Sequence, residues 1–257
     1  MNEYKWAENA IKEKHLSSKP YETIVRIAKY HMYNGKSKKE IRGLIENFLL
    51  SCDKSISIVS WGKRIDSAIS FAEKKPICIV DSICVTTGEL DKIKEIQNIQ
   101  DQRLAFTLLC ISKFNMASSQ QTNYWVSTPD NEIMRMANIN TSIKRQSAMF
   151  SHLKDIGLIK FSSQVDNLSV QVLFADDKDT AMYITDFRNL GYQYMNYING
   201  GYYFCENCGV ICKCNKHSCK KQRYCPDCAI KIHTRQKVES VMRKRNETAN
   251  VDICKVS

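Results

Sequence analysis

The stretch CENCGVICKCNKHSCKKQRYCPDC, residues 205–228, holds seven of the twelve cysteines of this 257-residue chain. Cys205-x2-Cys208 is followed, after sixteen intervening residues, by Cys225-x2-Cys228. This spacing is typical of a four-cysteine zinc site, because each pair places two sulfurs on one tight turn and two facing turns complete a tetrahedron of thiolates. The sequence therefore predicts one structural Zn²⁺ ion in this stretch.

Four further residues with ligand side chains lie inside the same stretch, and three interpretations of them stay open. They form a second zinc site, lend one ligand to the first site, or belong to a surface loop. These residues are Cys212, Cys214, His217 and Cys219. The main quartet by itself closes a tetrahedral site and leaves no position for water, which indicates a structural rather than a catalytic ion.

The two knuckles, CENCG and YCPDCA, resemble those of a zinc ribbon. The resemblance covers about the last fifty residues and concerns a very widespread module. It implies short β-hairpins that carry the knuckles, with the metal replacing a hydrophobic core that so short a segment cannot build.

The middle of the chain shows a second pattern, from Gln100 to Phe174. QDQRLAFTLLCISKFN has apolar residues at helical spacing, and the β-prone run NYWVS follows it. TPDNEIMRMANIN is a second helix capped by Thr128 or Asp130, and TSIKRQSAMFSHLKDIGLIKF is a third that stops at Gly157. The runs LIKFSS and LSVQVLF then predict a hairpin.

Helix, strand, helix, turn, helix and hairpin is the element order of a winged helix, and the stretch resembles that superfamily, notably in HLKDIGLIKF. The resemblance implies that the third helix enters the DNA major groove and that its first residues reach base edges. His152, farther along this helix, is interpreted as a surface residue. The DNA contacts that the resemblance implies are Thr141, Ser142, Lys144, Arg145 and Gln146 on the helix and Lys160 on the wing.

The C-terminal segment is basic, with 12 Lys and Arg against 5 Asp and Glu from Cys205 onward. AIKIHTRQKVESVMRKRN reads as a cationic helix that either contacts DNA phosphates or is a solvated end. The basic residues of this segment predicted to contact nucleic acid are Lys220, Lys221, Arg223, Arg243, Lys244 and Arg245.

The remaining segments complete the predicted organisation, an α+β chain that is mainly helical. Residues 1–99 form a helical N-terminal region, in which Ser37 and Glu40 make a capping box and Thr87 caps a later helix. The winged helix-turn-helix occupies 100–175, a tyrosine-rich connector 176–201, and the C-terminal zinc ribbon with its basic helix 202–257. The connector's tyrosines are expected to fill an interface between modules rather than to stack on bases.

Composition limits where the protein acts and what it binds. No run of about 18 apolar residues occurs and the first residues are highly charged, so neither a membrane span nor a secretory signal is expected. The predicted location is the cytoplasm of a bacterial or phage-infected cell, where thiols stay reduced. The other five cysteines then read as small core residues. They are Cys52, Cys78, Cys84, Cys110 and Cys254.

The formal net charge of +11 favours a polyanionic partner. The leading function is a zinc-containing protein that binds double-stranded DNA, a transcription regulator or replication factor of the kind found in bacteriophages and mobile elements. The alternative is an adaptor that docks onto a polymerase, replication or host defence complex without reading DNA. An enzyme is not expected, because the sequence shows no Gly-rich phosphate loop, no nucleophile elbow and no acidic cluster spaced for two metals.

Overall fold

The computed structural model describes residues 2–119, 123–163, 169–214 and 222–253, the last ten of these by their backbone alone. The described residues form ten helices and seven strands, arranged in small antiparallel sheets and hairpins. The chain divides into two compact units, Met1–Ile83 with Phe114–Thr122 and Cys84–Lys113 with Asn123–Ser257. The predicted class, α+β and mainly helical, is confirmed.

The first unit is built on four amphipathic helices: α1 (Glu3–Glu13), α2 (Pro20–Tyr33), α3 (Lys38–Cys52) and α4 (Ile58–Lys74). Ser37 and Glu40 form the predicted capping box at the start of α3. The apolar faces of α2, α3 and α4 meet in a core of aliphatic side chains, which removes them from water and fixes the helices against one another. Its largest fully buried members are Ile24, Ile27, Ile41, Ile45, Leu49 and Ile65.

The second unit begins at Cys84, within β1 (Ile83–Thr86). This strand pairs with β5 (Thr180–Ile184) and is followed by α5 (Thr87–Lys94). Thr86, not Thr87, caps α5, because its hydroxyl accepts from the backbone N–H of Glu89 and the Glu89 carboxylate accepts from the N–H of Thr86. Lys113 Nζ lies 2.8 Å from Glu89 Oε1, and both side chains are buried. This buried pair satisfies a cation and an anion that would otherwise strongly destabilise the core.

The elements between residues 100 and 175 follow the predicted order. They are α6 (Ile99–Ser119), β2 (Trp125–Val126), α7 (Asp130–Met136), α8 (Ile143–Asp155), β3 (Ile159–Phe161) and β4 (Val170–Val172). The three strands form an antiparallel sheet in the order β2-β4-β3.

The register of this sheet explains which residues of β2, β3 and β4 face the core. Lys160 pairs with Gln171, which pairs in turn with Trp125, so these three side chains share one face of the sheet. Val170 and Val172 on β4 are buried, as alternation along a strand requires. Residues 164–168, which separate β3 from β4 in the sequence, lie outside the described part of the chain.

The boundaries of α7 and α8 differ in one detail from the prediction. Pro129, rather than Thr128 or Asp130, occupies the cap position of α7 and provides no side-chain hydrogen bond. The turn that follows α7 depends on Asn138, whose φ of 56° lies in the left-handed region that asparagine tolerates better than most residues. Gly157, with φ of 76°, ends α8 as predicted.

The C-terminal part of the second unit consists of α9 (Leu190–Asn199), a hairpin of β6 (Tyr202–Phe204) and β7 (Ile211–Lys213), and α10 (Pro226–Ile253). Tyr194 on α9 is fully buried, its ring centroid lies 5.2 Å from that of Phe106, and its hydroxyl donates to Gln102 Oε1 at 2.9 Å. At this tyrosine the connector therefore fills an interface, in this case with α6.

Among the described helices, none combines the length and the apolar character that crossing a bilayer requires.

Candidate metal centre and nucleic-acid interface

The first knuckle lies at the tip of the β6-β7 hairpin. The N–H of Cys205 donates to the carbonyl of Val210 at 2.9 Å, and the N–H of Gly209 donates to the carbonyl of Cys205 at 2.8 Å. Gly209 adopts φ of 72°, a conformation that costs other residues free energy. The turn thereby brings the sulfurs of Cys205 and Cys208 to the same side of the hairpin.

The second knuckle lies at the start of α10. Cys225 immediately precedes the helix, Pro226 is its first residue, and Cys228 lies in its first turn. The N–H of Cys228 donates to Cys225 Sγ at 3.4 Å, and the N–H of Ala229 donates to the Cys225 carbonyl at 2.9 Å. Proline suits this first position because the N–H that it lacks would have had no partner within the helix.

The four sulfurs of Cys205, Cys208, Cys225 and Cys228 lie within 4.8 Å of one another. Sγ of Cys208 and Sγ of Cys225 are 3.7 Å apart. A tetrahedral Zn²⁺ ion with Zn–S bonds of about 2.3 Å requires sulfurs separated by about 3.8 Å. The residues present therefore fit the ion, and this four-cysteine group can hold one metal ion such as Zn²⁺.

Burial and backbone dipoles shape the chemistry of these thiols. Burial raises the pKa of Cys225 to about 12, and the neighbouring sulfurs act in the same direction. Burial also opposes ionisation of Cys205, but N–H groups of Cys225, Cys208 and Asn207 outweigh it and lower the pKa to about 6. The Asn207 side chain donates to Cys228 Sγ at 3.2 Å. Donors aimed at sulfur favour thiolates, the form that binds a metal.

Only part of the second candidate ligand set falls in the described chain. Cys212 is half-buried and packs against the four-cysteine group, and burial raises the pKa of its thiol. Cys214 donates its backbone N–H to the carbonyl of Gly201 at 3.0 Å. His217 and Cys219 lie outside the described residues. Within the described chain, the main quartet is the one group of three or more Cys, His, Asp or Glu side chains that could hold a metal.

Two residues that sequence reasoning did not single out hold the β6-β7 hairpin against the rest of its unit. Arg188 donates to the carbonyl of Cys208 at 2.6 Å and pairs with Asp186. Asn189 Nδ2 donates to the carbonyl of Ile211 at 2.9 Å. A weak signal was available, because asparagine is one of the few residues that adopt positive φ readily, and Asn189 does so before α9. No pattern in the sequence indicated that the Asn189 side chain would bond to the carbonyl of Ile211.

The predicted DNA-contacting helix is α8. Ser142 caps it by accepting from the N–H of Arg145, while the side chains of Lys144 and Arg145 are exposed in its first turn. Thr141 is half-buried, and Gln146 is also half-buried because its Nε2 donates to the Thr141 carbonyl at 3.0 Å. The side chain of Gln146 therefore stabilises the start of α8 instead of facing solvent. The side chains of Lys144 and Arg145 do face solvent.

The other predicted DNA contacts lie on different elements of the second unit. Lys160 is exposed on β3, with its Nζ 6.0 Å from the centroid of the Trp125 ring. Arg223 is exposed but forms an ion pair with Glu206 at 2.8 Å. Arg243 is exposed on α10. Lys220 and Lys221, and the side chains of Lys244 and Arg245, lie outside the described part of the chain.

Comparisons of the chain with protein-family models, with curated proteins and with solved structures found no match.

Proposed function

We propose that this protein is a zinc-containing DNA-binding protein, a transcription regulator or replication factor of a phage or mobile element. Its helix α8 reads double-stranded DNA, and its wing and basic C-terminal segment hold the phosphate backbone. The proposal assigns no catalytic step to the protein and gives the Zn²⁺ ion a structural role.

The observation that carries this proposal is the start of α8. A helix that follows a tight turn, begins at a capping serine and presents Lys144 and Arg145 side by side has the form of a recognition helix. Lysine and arginine are the side chains best suited to guanine edges and to phosphates. Lys160 on the wing strand offers a further cation, as a winged-helix contact to the backbone requires.

The zinc centre supports the same proposal through the way the ribbon is attached. Arg188 and Asn189 tie the first knuckle and β7 to the connector, so the metal fixes the direction in which α10 leaves the unit. α10 carries the exposed Arg243 together with Lys231, Arg235 and Lys237. A cationic helix held in a fixed direction can follow a DNA backbone, whereas a flexible one must lose conformational entropy on binding.

The test is binding of the zinc-loaded protein to duplex fragments of its own genome at two salt concentrations. Enrichment of one site that persists at the higher salt supports the proposal. The variant Lys144→Ala is then expected to lose about 1 to 3 kcal/mol of specific binding free energy. Lys74→Ala, which removes an exposed cation from α4, is the matched control. Uniform binding that disappears with salt, or equal affinities for the two variants, contradicts the proposal.

A second candidate function is supported by one specific feature of the same helix. Ile143 is 81% exposed at the start of α8, and Phe161 on the wing is 41% exposed. A contiguous exposed apolar patch is typical of a protein docking surface. If the protein is an adaptor that binds a protein complex without reading DNA, Ile143→Ser should abolish recovery of that complex. The wild-type protein should then have negligible affinity for DNA.

A further inference from the structure

A groove lies in the first unit, between the start of α2 and residues 61–67 of α4. Its volume is about 540 Å³, which lies in the range of pockets that hold small molecules. The groove is lined by two aromatic residues, two cations, a proline and a serine, and by no acidic residue among those that the structure describes. These residues are Pro20, Tyr21, Trp61, Lys63, Arg64 and Ser67.

The spacing of residues along α4 brings the aromatic and cationic side chains of the groove together. Trp61 and Arg64 are three positions apart, and Lys63 and Ser67 are four apart, so the members of each pair lie one turn apart on the same side of the helix. Ser67 Oγ donates to the carbonyl of Lys63 at 2.9 Å. The serine is therefore bonded to its own helix, and the lysine and arginine supply the charge of the groove.

The two aromatic rings of the groove are partly open to solvent and are held by packed helices. Tyr21 is 40% exposed in the first turn of α2. Trp61 is half-buried and packs against the aliphatic core of the first unit. The guanidinium carbon of Arg64 lies 5.1 Å from the centroid of the Trp61 ring, a cation–π contact. The groove therefore combines two aromatic rings with a planar cation, the groups on which nucleic-acid bases stack.

The charge of this groove is not neutralised by its neighbours. Among the described residues, Lys63 and Arg64 take part in no ion pair. Glu22 and Asp66 are the acidic residues next to the groove in the sequence, and both pair with cations outside it. Both side chains of the cationic pair are exposed. An anion that enters the groove therefore meets two cations and no carboxylate of a described lining residue.

These features together restrict the class of ligand. A free phosphate or an acidic side chain would use the two cations but leave the two rings uncovered. A lipid chain requires aliphatic surface, and none of the described lining residues is Leu, Ile, Val or Met. An unpaired nucleotide uses both parts of the wall, because its base stacks on an aromatic ring and its phosphates attract lysine and arginine.

We propose that this groove binds single-stranded nucleic acid. A base stacks on the ring of Tyr21 or Trp61, and the adjoining phosphates lie beside Lys63 and Arg64. A duplex is excluded from this arrangement, because its bases stack on one another and their faces are covered. The proposal does not rest on duplex binding by α8, since the groove belongs to the first unit and Lys144 to the second.

The test is fluorescence anisotropy of labelled hexamers titrated with the zinc-loaded full chain. The probes are a thymidylate hexamer, a uridylate hexamer and an abasic hexamer with the same phosphates, and vesicles of phosphatidylglycerol are tested beside them. We expect at least one hexamer that has bases to bind about fivefold more tightly than the abasic one, or better, because stacking is lost without bases. The proposal is overturned if the abasic hexamer binds equally well, or if neither base-containing hexamer binds at millimolar concentration while the vesicles do or do not.

Variants of the tyrosine test the stacking contact. Tyr21→Ala should weaken binding of the base-containing hexamer about fivefold or more and leave the affinity for the abasic hexamer unchanged. Tyr21→Phe, which keeps the ring, should bind as the wild type does. Tyr33→Ala is the matched control, since Tyr33 is 61% exposed at the other end of α2. Equal hexamer affinities in Tyr21→Ala and Tyr33→Ala overturn the proposal.

A variant of the lysine tests the phosphate contact through its dependence on salt. Lys63→Ala should make the slope of log affinity against log salt concentration less steep by about 0.7, the contribution of one phosphate contact with a single strand. Lys12→Ala, which removes an exposed cation of α1 outside the groove, is the control. An unchanged slope in Lys63→Ala overturns the phosphate contact and with it the proposal. Duplex binding is measured in the same variants and should not change, so this proposal and the proposed function fail separately.

Discussion

Asn138 Nδ2 donates a 2.8 Å hydrogen bond to Asn189 Oδ1, and both residues adopt left-handed backbone conformations, with φ of 56° and 57°. Asn138 lies in the turn between α7 and α8, and Asn189 precedes α9. Asn189 also donates to the carbonyl of Ile211 in the ribbon. One side chain therefore links the turn before the proposed recognition helix to the strand beside the metal centre.

Replacing Asn189 should separate the contribution of its backbone conformation from that of its hydrogen bonds. Asn189→Ala loses both bonds and places an alanine at positive φ, and we expect it to lower the free energy of unfolding by about 2 to 3 kcal/mol. Asn189→Gly loses the bonds but adopts this φ freely, so its effect should be about 1 to 2 kcal/mol. Urea denaturation measures the free energy of unfolding of both variants. Equal values for Asn189→Ala and Asn189→Gly would show that the positive φ at this position does not affect stability.

The first turn of α9 also approaches the end of α7 closely at Gly191. A Cβ atom at this position would lie 1.9 Å from the carbonyl oxygen of Ala137, which already accepts two hydrogen bonds from Arg103. We expect Gly191→Ala to destabilise the protein by about 3 kcal/mol or more, because backbone must move. Gly43→Ala is the control, since α3 has open space there, and it should stabilise by roughly 0.5 to 1 kcal/mol. Similar melting temperatures for the two variants would contradict this packing.

Removing one ligand should release the metal and unfold the ribbon. In Cys225→Ser, zinc content should fall from one ion per chain to near zero, and the β6-β7 hairpin should lose its order because the metal replaces a core there. α6 and α8 should persist, since their own core includes Leu104, Leu108 and Leu153. Metal analysis and circular dichroism measure these two effects.

Cys52→Ser, on the half-buried Cys52 of α3, is the control for this experiment and should keep its zinc. Retention of one ion per chain in Cys225→Ser would show that the four-cysteine group is not the site. Complete loss of helical signal would show instead that the four-cysteine segment and residues 100–175 unfold together.

The buried tyrosine on α9 predicts a dependence of stability on alkaline pH. Burial raises the pKa of Tyr194 above its usual value near 10, and Tyr197 acts in the same direction. Above pH 10 the unfolded chain therefore releases this proton while the folded chain keeps it, so stability falls as pH rises. Tyr194→Phe should reduce that fall between pH 9 and pH 11.

At neutral pH the same variant loses the hydrogen bond to Gln102 and should be less stable by about 0.5 to 1.5 kcal/mol. Tyr183→Phe is the control, because Tyr183 is 67% exposed. Denaturation curves of the wild type and both variants are measured at several pH values. An equal loss of stability at alkaline pH in the wild type and in Tyr194→Phe would show that Tyr194 does not cause the loss.

Local signals in the sequence predicted the elements and the metal ligands. Ser37 with Glu40 gave a capping box, Gly157 gave a helix end, and the spacing of Cys205, Cys208, Cys225 and Cys228 gave a four-sulfur group. Each signal depends on residues a few positions apart, or on a pattern whose chemistry has few alternatives. The one-residue error at Thr87 arose because Thr86 and Thr87 are equally suited to cap α5, and only the backbone decides between them.

What the sequence by itself determined, then, is the class of fold, the order of elements and the quartet of thiols, because helical periodicity and cysteine spacing are local properties of the chain. Only the tertiary structure decided that Asn138 meets Asn189 and that Asp101 meets His152, pairs each separated by 51 residues. It also turned Gln146 onto the Thr141 carbonyl and left Lys144 in solvent. Such contacts depend on how helices pack, and packing is set by the sum of many weak apolar contacts that no short stretch of sequence contains.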